Sequence, residues 1–163
     1  LDQKNVELFT SHKIYTEAEM EARYETILEE YSKTLNIEAL TMSEMTRQDI
    51  LPAVSAYIAS LADAVASKRA VISGLPCAAE TSLIQKLSGL LDSAYEKVEA
   101  LDALVTDGKA SEYDHNTLRV ATYYKDKIIP AMNELRAVVD QMEVDTSAAF
   151  WPYPSYGDLM FRV

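Results

Sequence analysis

Large apolar residues recur every three or four positions through most of this chain, and this period is the feature that most constrains its fold. The clearest series comprises Leu83, Leu87, Leu90, Ala94, Val98, Leu101 and Val105. Only four Gly and five Pro interrupt the 163 residues, and the abundant Ala, Glu, Leu and Lys favour helices. No stretch has the two-residue period of a strand beyond chance. The pattern therefore predicts an all-α protein.

Capping and turn signals divide the chain into four predicted helices. Thr16 and Glu19 have the spacing of a capping box, in which each side chain bonds the other residue's free amide. Tyr24, Ile27, Leu28, Tyr31 and Leu35 form the apolar face that follows. The expected ranges are about 16–35, 37–72, 78–105 and 111–146, with breaks at Asn36, at Gly74 with Pro76, and at Thr106 to Gly108.

Short turns between long helices favour antiparallel neighbours, so we expect an antiparallel up-down four-helix bundle. The second helix carries its seam on Leu51, Val54, Ile58, Leu61 and Val65, and the fourth on Ala121, Tyr124, Ile128, Ala131, Leu135, Val138 and Met142. The predicted organisation is a lead-in segment at 1–15, the bundle at 16–146 and a tail at 147–163.

Two prolines lie inside predicted helices. Pro52 and Pro130 each remove a backbone hydrogen bond, so each predicts a kink. The stretches Asp49–Val54 and Asp126–Met132 around them look alike, although the similarity is too short to indicate an internal repeat.

The last thirteen residues, Trp-Pro-Tyr-Pro-Ser-Tyr-Gly-Asp-Leu-Met-Phe-Arg-Val, predict a non-helical aromatic tail. Pro152 and Pro154 fix φ and remove donors, and Gly157 permits a turn. Tails that remain in water are usually polar, so this one is expected to dock. The candidate interface residues are Trp151, Tyr153, Tyr156, Leu159 and Phe161. Docking on the chain's own bundle and docking on a partner are equally open.

Composition excludes several functional classes. The net charge is −11 and the pI is about 4.6, so the chain repels phosphate backbones and nucleic acid is not expected as a partner. We see no run of about 18 apolar residues, so no membrane partner is expected. The single Cys77 cannot form an internal disulfide, which suits a cytoplasmic location.

The sequence contains no motif for catalysis, phosphate binding or paired-cysteine metal binding. Glu112 and His115 have the spacing of one half of a carboxylate-bridged di-metal site, but the chain lacks the second half. A solvated helix start is the favoured interpretation. Glu44 and Arg47 occupy positions where a heptad calls for apolar residues. Either the buried face rotates there, which is the favoured alternative, or the two form an ion pair at an interface.

Several stretches together resemble the C-terminal region of type III glutamine synthetase. They are Glu7–Phe9 with Lys13–Tyr15, Glu21–Glu25, Asn36–Met42, Asp49–Val54 and Trp151–Phe161. The resemblance implies a parent enzyme that joins ammonia to glutamate with ATP and Mg²⁺ or Mn²⁺, in large ring-shaped oligomers. It also implies that this chain is a non-catalytic structural domain with no cofactor, no metal and no catalytic residue of its own. Its partners would be the parent's catalytic domain and neighbouring subunits.

A free-standing acidic helical interaction or regulatory module is the alternative. Residue 1 is Leu rather than Met, which favours an origin within a larger protein. A third class, a di-metal bundle enzyme, predicts bound metal in the purified protein.

Overall fold

The structure, a computed structural model, describes residues 2–111, 116–154 and 156–161, with the side chains of residues 109–111, 156 and 161 left outside the description. These residues form α-helices and two π-helical turns, and no strand occurs among them, which confirms the all-α prediction. The helices are α1 Gln3–Ser11, α2 Glu17–Met45, α3 Leu51–Val71, α4 Ala78–Ser111, α5 Thr117–Tyr123, α6 Ile129–Asp145 and α7 Tyr156–Phe161, and the π turns are Thr46–Ile50 and Tyr124–Ile128.

The longest element is a single helical rod of 55 residues, Glu17–Val71, hereafter rod A. It begins at the predicted capping box, since Thr16 Oγ1 accepts from the Glu19 amide and the Glu19 carboxylate accepts from the Thr16 amide. The predicted break at Asn36 is wrong. Asn36 lies inside α2, where its side-chain oxygen accepts a hydrogen bond from the Tyr124 hydroxyl at 3.3 Å. The predicted first and second helices are therefore one, and the four-helix count is not confirmed.

Rod B is α4, and it continues past its predicted end at Gly108 to Ser111. Gly108 is not a helix cap here. A Cβ at this position would lie 3.1 Å from Cε1 of Tyr123, so the glycine allows the tyrosine ring to pack against the helix backbone. The Tyr123 hydroxyl donates to the Leu104 carbonyl at 2.9 Å across the same contact.

Rod C comprises α5, the second π turn and α6. It begins at Thr117 rather than at the predicted Ser111, because Asn116 is its N-cap and accepts from the Arg119 amide at 3.0 Å. The predicted seam is largely confirmed: of its seven positions only Ala131 is half-buried rather than buried.

A π-helical turn comes just before each internal proline. The Leu51 amide bonds to the Thr46 carbonyl, and the Ile129 amide bonds to the Tyr124 carbonyl, each five residues back. In a regular α-helix the ring of Pro52 or Pro130 would clash with the carbonyl four residues earlier. The extra residue in each turn provides a physical account of how both prolines fit inside continuous rods. The predicted bends of the rod axes stay predictions.

Ion pairs between the rods show their relative directions. Lys68 pairs with Glu80 beside the A–B turn, and Arg47 pairs with Glu99 further along, so rods A and B run antiparallel. Lys97 pairs with Glu134 and Lys86 with Asp145, so rods B and C are also antiparallel. The core between the three rods includes Val54, Leu87, Leu101, Ile128 and Leu135, all buried.

The first turns of rod A differ from the prediction. Of the expected apolar face, Leu35 is buried and Tyr24 and Leu28 are half-buried, but Ile27 and Tyr31 are exposed. The lead-in segment contains α1, which is N-capped by Asp2, and the Phe9 and Tyr15 rings lie 5.9 Å apart. The start of rod A therefore packs on less of the chain than the rest of the rod does.

Rod A contains one 18-residue stretch that is apolar enough, by length and composition, to cross a membrane. The expectation that the chain has no such stretch is therefore not confirmed. One helix of this kind is weak evidence for a membrane, because a mostly buried core helix of a soluble protein and a signal sequence meet the same test. Of this stretch, 11% is buried. In rod A, Leu51, Val54 and Ile58 pack in or against the core that rod A shares with rods B and C.

Candidate interface at the aromatic tail

A tight turn after rod C directs the aromatic tail back onto the bundle. The amides of Phe150 and Trp151 both donate to the Ser147 carbonyl, at 2.8 and 3.1 Å. The turn brings the Phe150 ring against Tyr57 of rod A, with centroids 5.3 Å apart and planes inclined by 45°. Tilted aromatic pairs at this separation are favourable. The tail thus contacts rod A as soon as rod C has ended.

Tyr153 fixes the tail to the first π turn. Its hydroxyl donates to Oδ2 of Asp49 at 2.6 Å, across 104 residues of sequence. Burial, followed by this hydrogen bond to a carboxylate, raises the pKa of Tyr153 to about 12. The neutral phenol is therefore the form that the docked tail favours.

The five candidate interface residues differ in their surroundings. Trp151 and Tyr153 are half-buried and pack against the core of their own bundle. Leu159 is exposed, and so is its neighbour Met160. The side chains of Tyr156 and Phe161 lie outside the described part of the structure. The inner half of the tail thus contacts its own bundle, while an interface with a partner stays a prediction for all five.

The tail is not wholly non-helical, because Tyr156–Phe161 forms α7. Both prolines precede this helix, where the missing donors and the fixed φ do not interrupt it. Asp158 lies in its first turn, a favourable position for a carboxylate. The prediction of a non-helical tail was therefore wrong for Tyr156–Phe161, because Pro152 and Pro154 constrain only the residues next to them.

Arg47 makes a polar contact between rods A and B. Its guanidinium donates to Oδ2 of Asp102, through Nε at 3.1 Å and Nη2 at 2.6 Å, and to Oε1 of Glu99 at 2.6 Å. Ser43 Oγ donates to the other Asp102 oxygen at 2.6 Å. The bond to Glu99 and then those to Asp102 raise the pKa of Arg47. We name these four residues the polar clasp.

The clasp explains the departure from the heptad pattern at Glu44 and Arg47. Arg47 pairs within the chain rather than with Glu44, which instead accepts a bond from Gln48 at 3.3 Å. Thr46 and Ile50 are buried beside it, so the apolar face shifts at the π turn. The sequence had not indicated Asp49, Asp102 or Tyr57 as functional partners, since each acts across more than 50 residues of sequence.

The described residues contain no group of three or more His, Cys, Asp or Glu that could hold a metal ion. The divalent metal that the resemblance implies for the parent enzyme therefore has no such ligand group among the described residues. Glu112 and His115, considered as half of a di-metal site, lie outside the described residues.

These features define an acidic, all-helical domain whose aromatic tail folds back beside the π turn of its longest helix. Residues 1–69 match the family model described as glutamine synthetase C-terminal domain. A glutamine synthetase from Butyrivibrio fibrisolvens is 35% identical over the whole of this chain. The type-3 glutamine synthetase of Dictyostelium discoideum is 29% identical over 98% of the chain, and a glutamine synthetase from Bacteroides fragilis (strain YCH46) is 23% identical over 98%. Residues 1–69 thus match the family of glutamine synthetase C-terminal domains, and the chain as a whole is similar to a part of these glutamine synthetases.

The chain spans less than a quarter of the length of these relatives, covering 23% of the first and 22% of the other two. The family match ends at Arg69, near the last residue of α3. It thus covers α1 and almost all of rod A, whereas the tail is included only in the matches to whole enzymes.

Proposed function

We propose that this chain is the non-catalytic structural and assembly domain of a type III glutamine synthetase. The parent enzyme would make glutamine from glutamate, ammonia and ATP with Mg²⁺ or Mn²⁺, in the cytoplasm. The observation that carries the proposal is the full-length match at 35% identity to an enzyme of which the chain spans 23%. The partners of the domain would be the catalytic domain and neighbouring subunits of a homo-oligomer.

The exposed part of the tail supports a role in assembly. Leu159 is 66% exposed and Met160 is 73% exposed on α7, while the preceding residues hold the helix near the bundle through Tyr153 and Phe150. Exposed apolar side chains on an anchored element are typical of an interaction surface. The anchor lowers the entropy that would be lost when α7 meets a neighbouring subunit.

Truncation after Ala149, in the isolated chain and in the parent enzyme, distinguishes the two roles of the tail. Loss of the bundle's own melting transition would assign the tail to intramolecular packing. An intact bundle in an enzyme that no longer assembles, measured by sedimentation velocity, would assign it to the interface.

A point substitution gives a sharper test because it spares the anchor. Leu159→Lys in the parent enzyme is expected to weaken assembly and leave the helical content unchanged. Val144→Lys is the matched control, since Val144 is 84% exposed on α6. Equal assembly of the two variants would contradict the proposed interface on α7.

The catalytic half of the proposal is tested separately. The DNA upstream of the Leu1 codon is expected to encode, in frame, a glutamate- and arginine-rich ligase domain. A start codon directly before Leu1 would instead support the alternative, a free-standing helical interaction module.

A further inference from the structure

An apolar groove runs between rods A and C. Its volume is about 470 Å³, and its apolar lining includes Ile37, Met42 and Met45 from rod A and Met132, Leu135 and Val139 from rod C. The lining of the groove includes none of the four residues of the polar clasp and neither Tyr153 nor its partner Asp49. The groove is therefore separate from the candidate interface described above.

The first π turn forms one end of this groove. Thr46 and Ile50, the first and last residues of the turn, are both buried and both line it. A π turn widens the helix by one residue and shifts the side chains that follow. Three methionines lie at the groove surface, and their flexible thioether side chains adapt to varied apolar partners.

The groove exposes more large apolar surface than a bundle seam requires. Ile37 is 63% exposed and Met45 is 36% exposed, and both line the groove. A contiguous apolar surface of this kind marks a place where another element binds. From Ile37 to Ile50 the groove follows rod A for about 20 Å, or roughly four helical turns.

Charge around the groove indicates the chemistry of its occupant. Glu38 lines the edge on rod A. Arg136 lines the edge on rod C and is paired with Asp140 at 3.6 Å, and Glu143 is exposed one turn beyond Val139. The positive charge of Arg136 is thus paired on the same edge of the groove, and the chain as a whole has a net charge of −11. A basic occupant complements this surface.

We propose that the groove binds an amphipathic helix whose apolar face lies on the methionines and whose flanks carry Lys or Arg. A cleft between two rods accepts a third helix by ridge-into-groove packing, with anchors three or four residues apart. The proposal goes beyond the assembly role, because it specifies the chemistry of a partner at a second surface and does not depend on α7.

The test uses the 163-residue chain and a synthetic fluorescein-labelled helix of about 18 residues, with Leu on one face and Lys on the other. Fluorescence anisotropy should show saturable binding. Met45→Lys is expected to weaken it about tenfold, because it places a like charge at the groove. Val71→Lys is the matched control: it places the same charge at an exposed apolar position of rod A that does not line the groove and is expected to leave binding unchanged.

Two further measurements make the result decisive. A Leu/Glu peptide of the same pattern should not bind, and Ile37→Lys, at a more exposed groove position than Met45, should reproduce the Met45→Lys loss with unchanged helical circular dichroism. Equal weakening by Met45→Lys and Val71→Lys would overturn the proposal, since the attraction would then be general. Self-association that Met45→Lys abolishes would also overturn it, with a second copy of the chain as the occupant. Neither result changes the interpretation of the Leu159→Lys assembly test, because that test concerns α7 and not the groove.

Discussion

The burial of Tyr153, together with its hydrogen bond to Asp49, should make the stability of the domain depend on pH in a defined alkaline window. The pKa of Tyr153 rises from 10.0 to about 12 in the folded chain, so the folded state retains a proton that the unfolded state has already lost. The corresponding stabilisation is fully present below pH 10 and is lost as the pH rises to about 12.

The magnitude follows from the pKa difference and the exposure of the site. A rise from 10 to about 12 would correspond to roughly 2.7 kcal/mol for a fully buried phenol. Tyr153 is only half-buried and Asp49 is exposed, so solvent screening reduces the expected value to about 1–1.5 kcal/mol. Tyr153→Phe should lower the free energy of unfolding by that amount at neutral pH.

Urea unfolding followed by helical circular dichroism, repeated across the alkaline range, measures this difference directly. The gap between the native chain and Tyr153→Phe should close between pH 10 and 12. At neutral pH the emission of Trp151, the single tryptophan, should shift towards that of a solvated indole in the variant. Tyr95→Phe is the control, because Tyr95 is 54% exposed on rod B. A gap that stays constant through the window would refute the assignment of the pH dependence to the docked Tyr153.

Three further predictions concern the rods. Gly108→Ala should destabilise the chain by about 1 kcal/mol, because the added Cβ would meet the Tyr123 ring. Gly89→Ala should stabilise it by about 0.5–1 kcal/mol, because a Cβ there has nothing within 4 Å. Thermal melts of the two variants measure these opposite effects. Arg47→Met should lower the free energy of unfolding by about 1 kcal/mol without changing assembly. A double-mutant cycle with Asp102→Asn should recover most of that loss as coupling energy. Additive effects of the two substitutions would contradict a stabilising role for the polar clasp. Thr16→Ala should raise hydrogen exchange in the first turn of rod A and leave rod B unchanged, and unchanged protection near Met20 would contradict the importance of the capping box.

The apolar period predicted the helical class and most of the core because those signals are local. The seam of rod B, from Leu83 to Val105, is buried or half-buried throughout. The Thr16 capping box was equally clear, since its two partners are three residues apart.

The failed boundaries have tertiary causes. Asn36 favours a break by its intrinsic preference, but its side chain is used by Tyr124, 88 residues away. Gly108 resembles a helix end, yet it is required for the approach of Tyr123. Neither contact can be recognised from the residues near Asn36 or Gly108 in the sequence.

The candidate site was only partly accessible from sequence for the same reason. The tail composition predicted docking, but no pattern pairs Tyr153 with Asp49 or Phe150 with Tyr57. One signal was available: the similar stretches around Pro52 and Pro130 each begin within a π turn. Their likeness reflects a shared local structure, although it is too short to indicate a duplicated domain.

The two π turns also determine where this chain can change its length. A π turn is an α-helical turn with one added residue, so deleting one residue within Thr46–Ile50, together with Pro52→Ala, would leave the apolar seams on either side in phase. The same deletion in the middle of α4 would rotate everything beyond it by about 100° and turn its apolar seam away from the core. Single-residue gaps in alignments of related domains are therefore expected to fall at these two turns, where a helix can lose one residue while its apolar seam still faces the core.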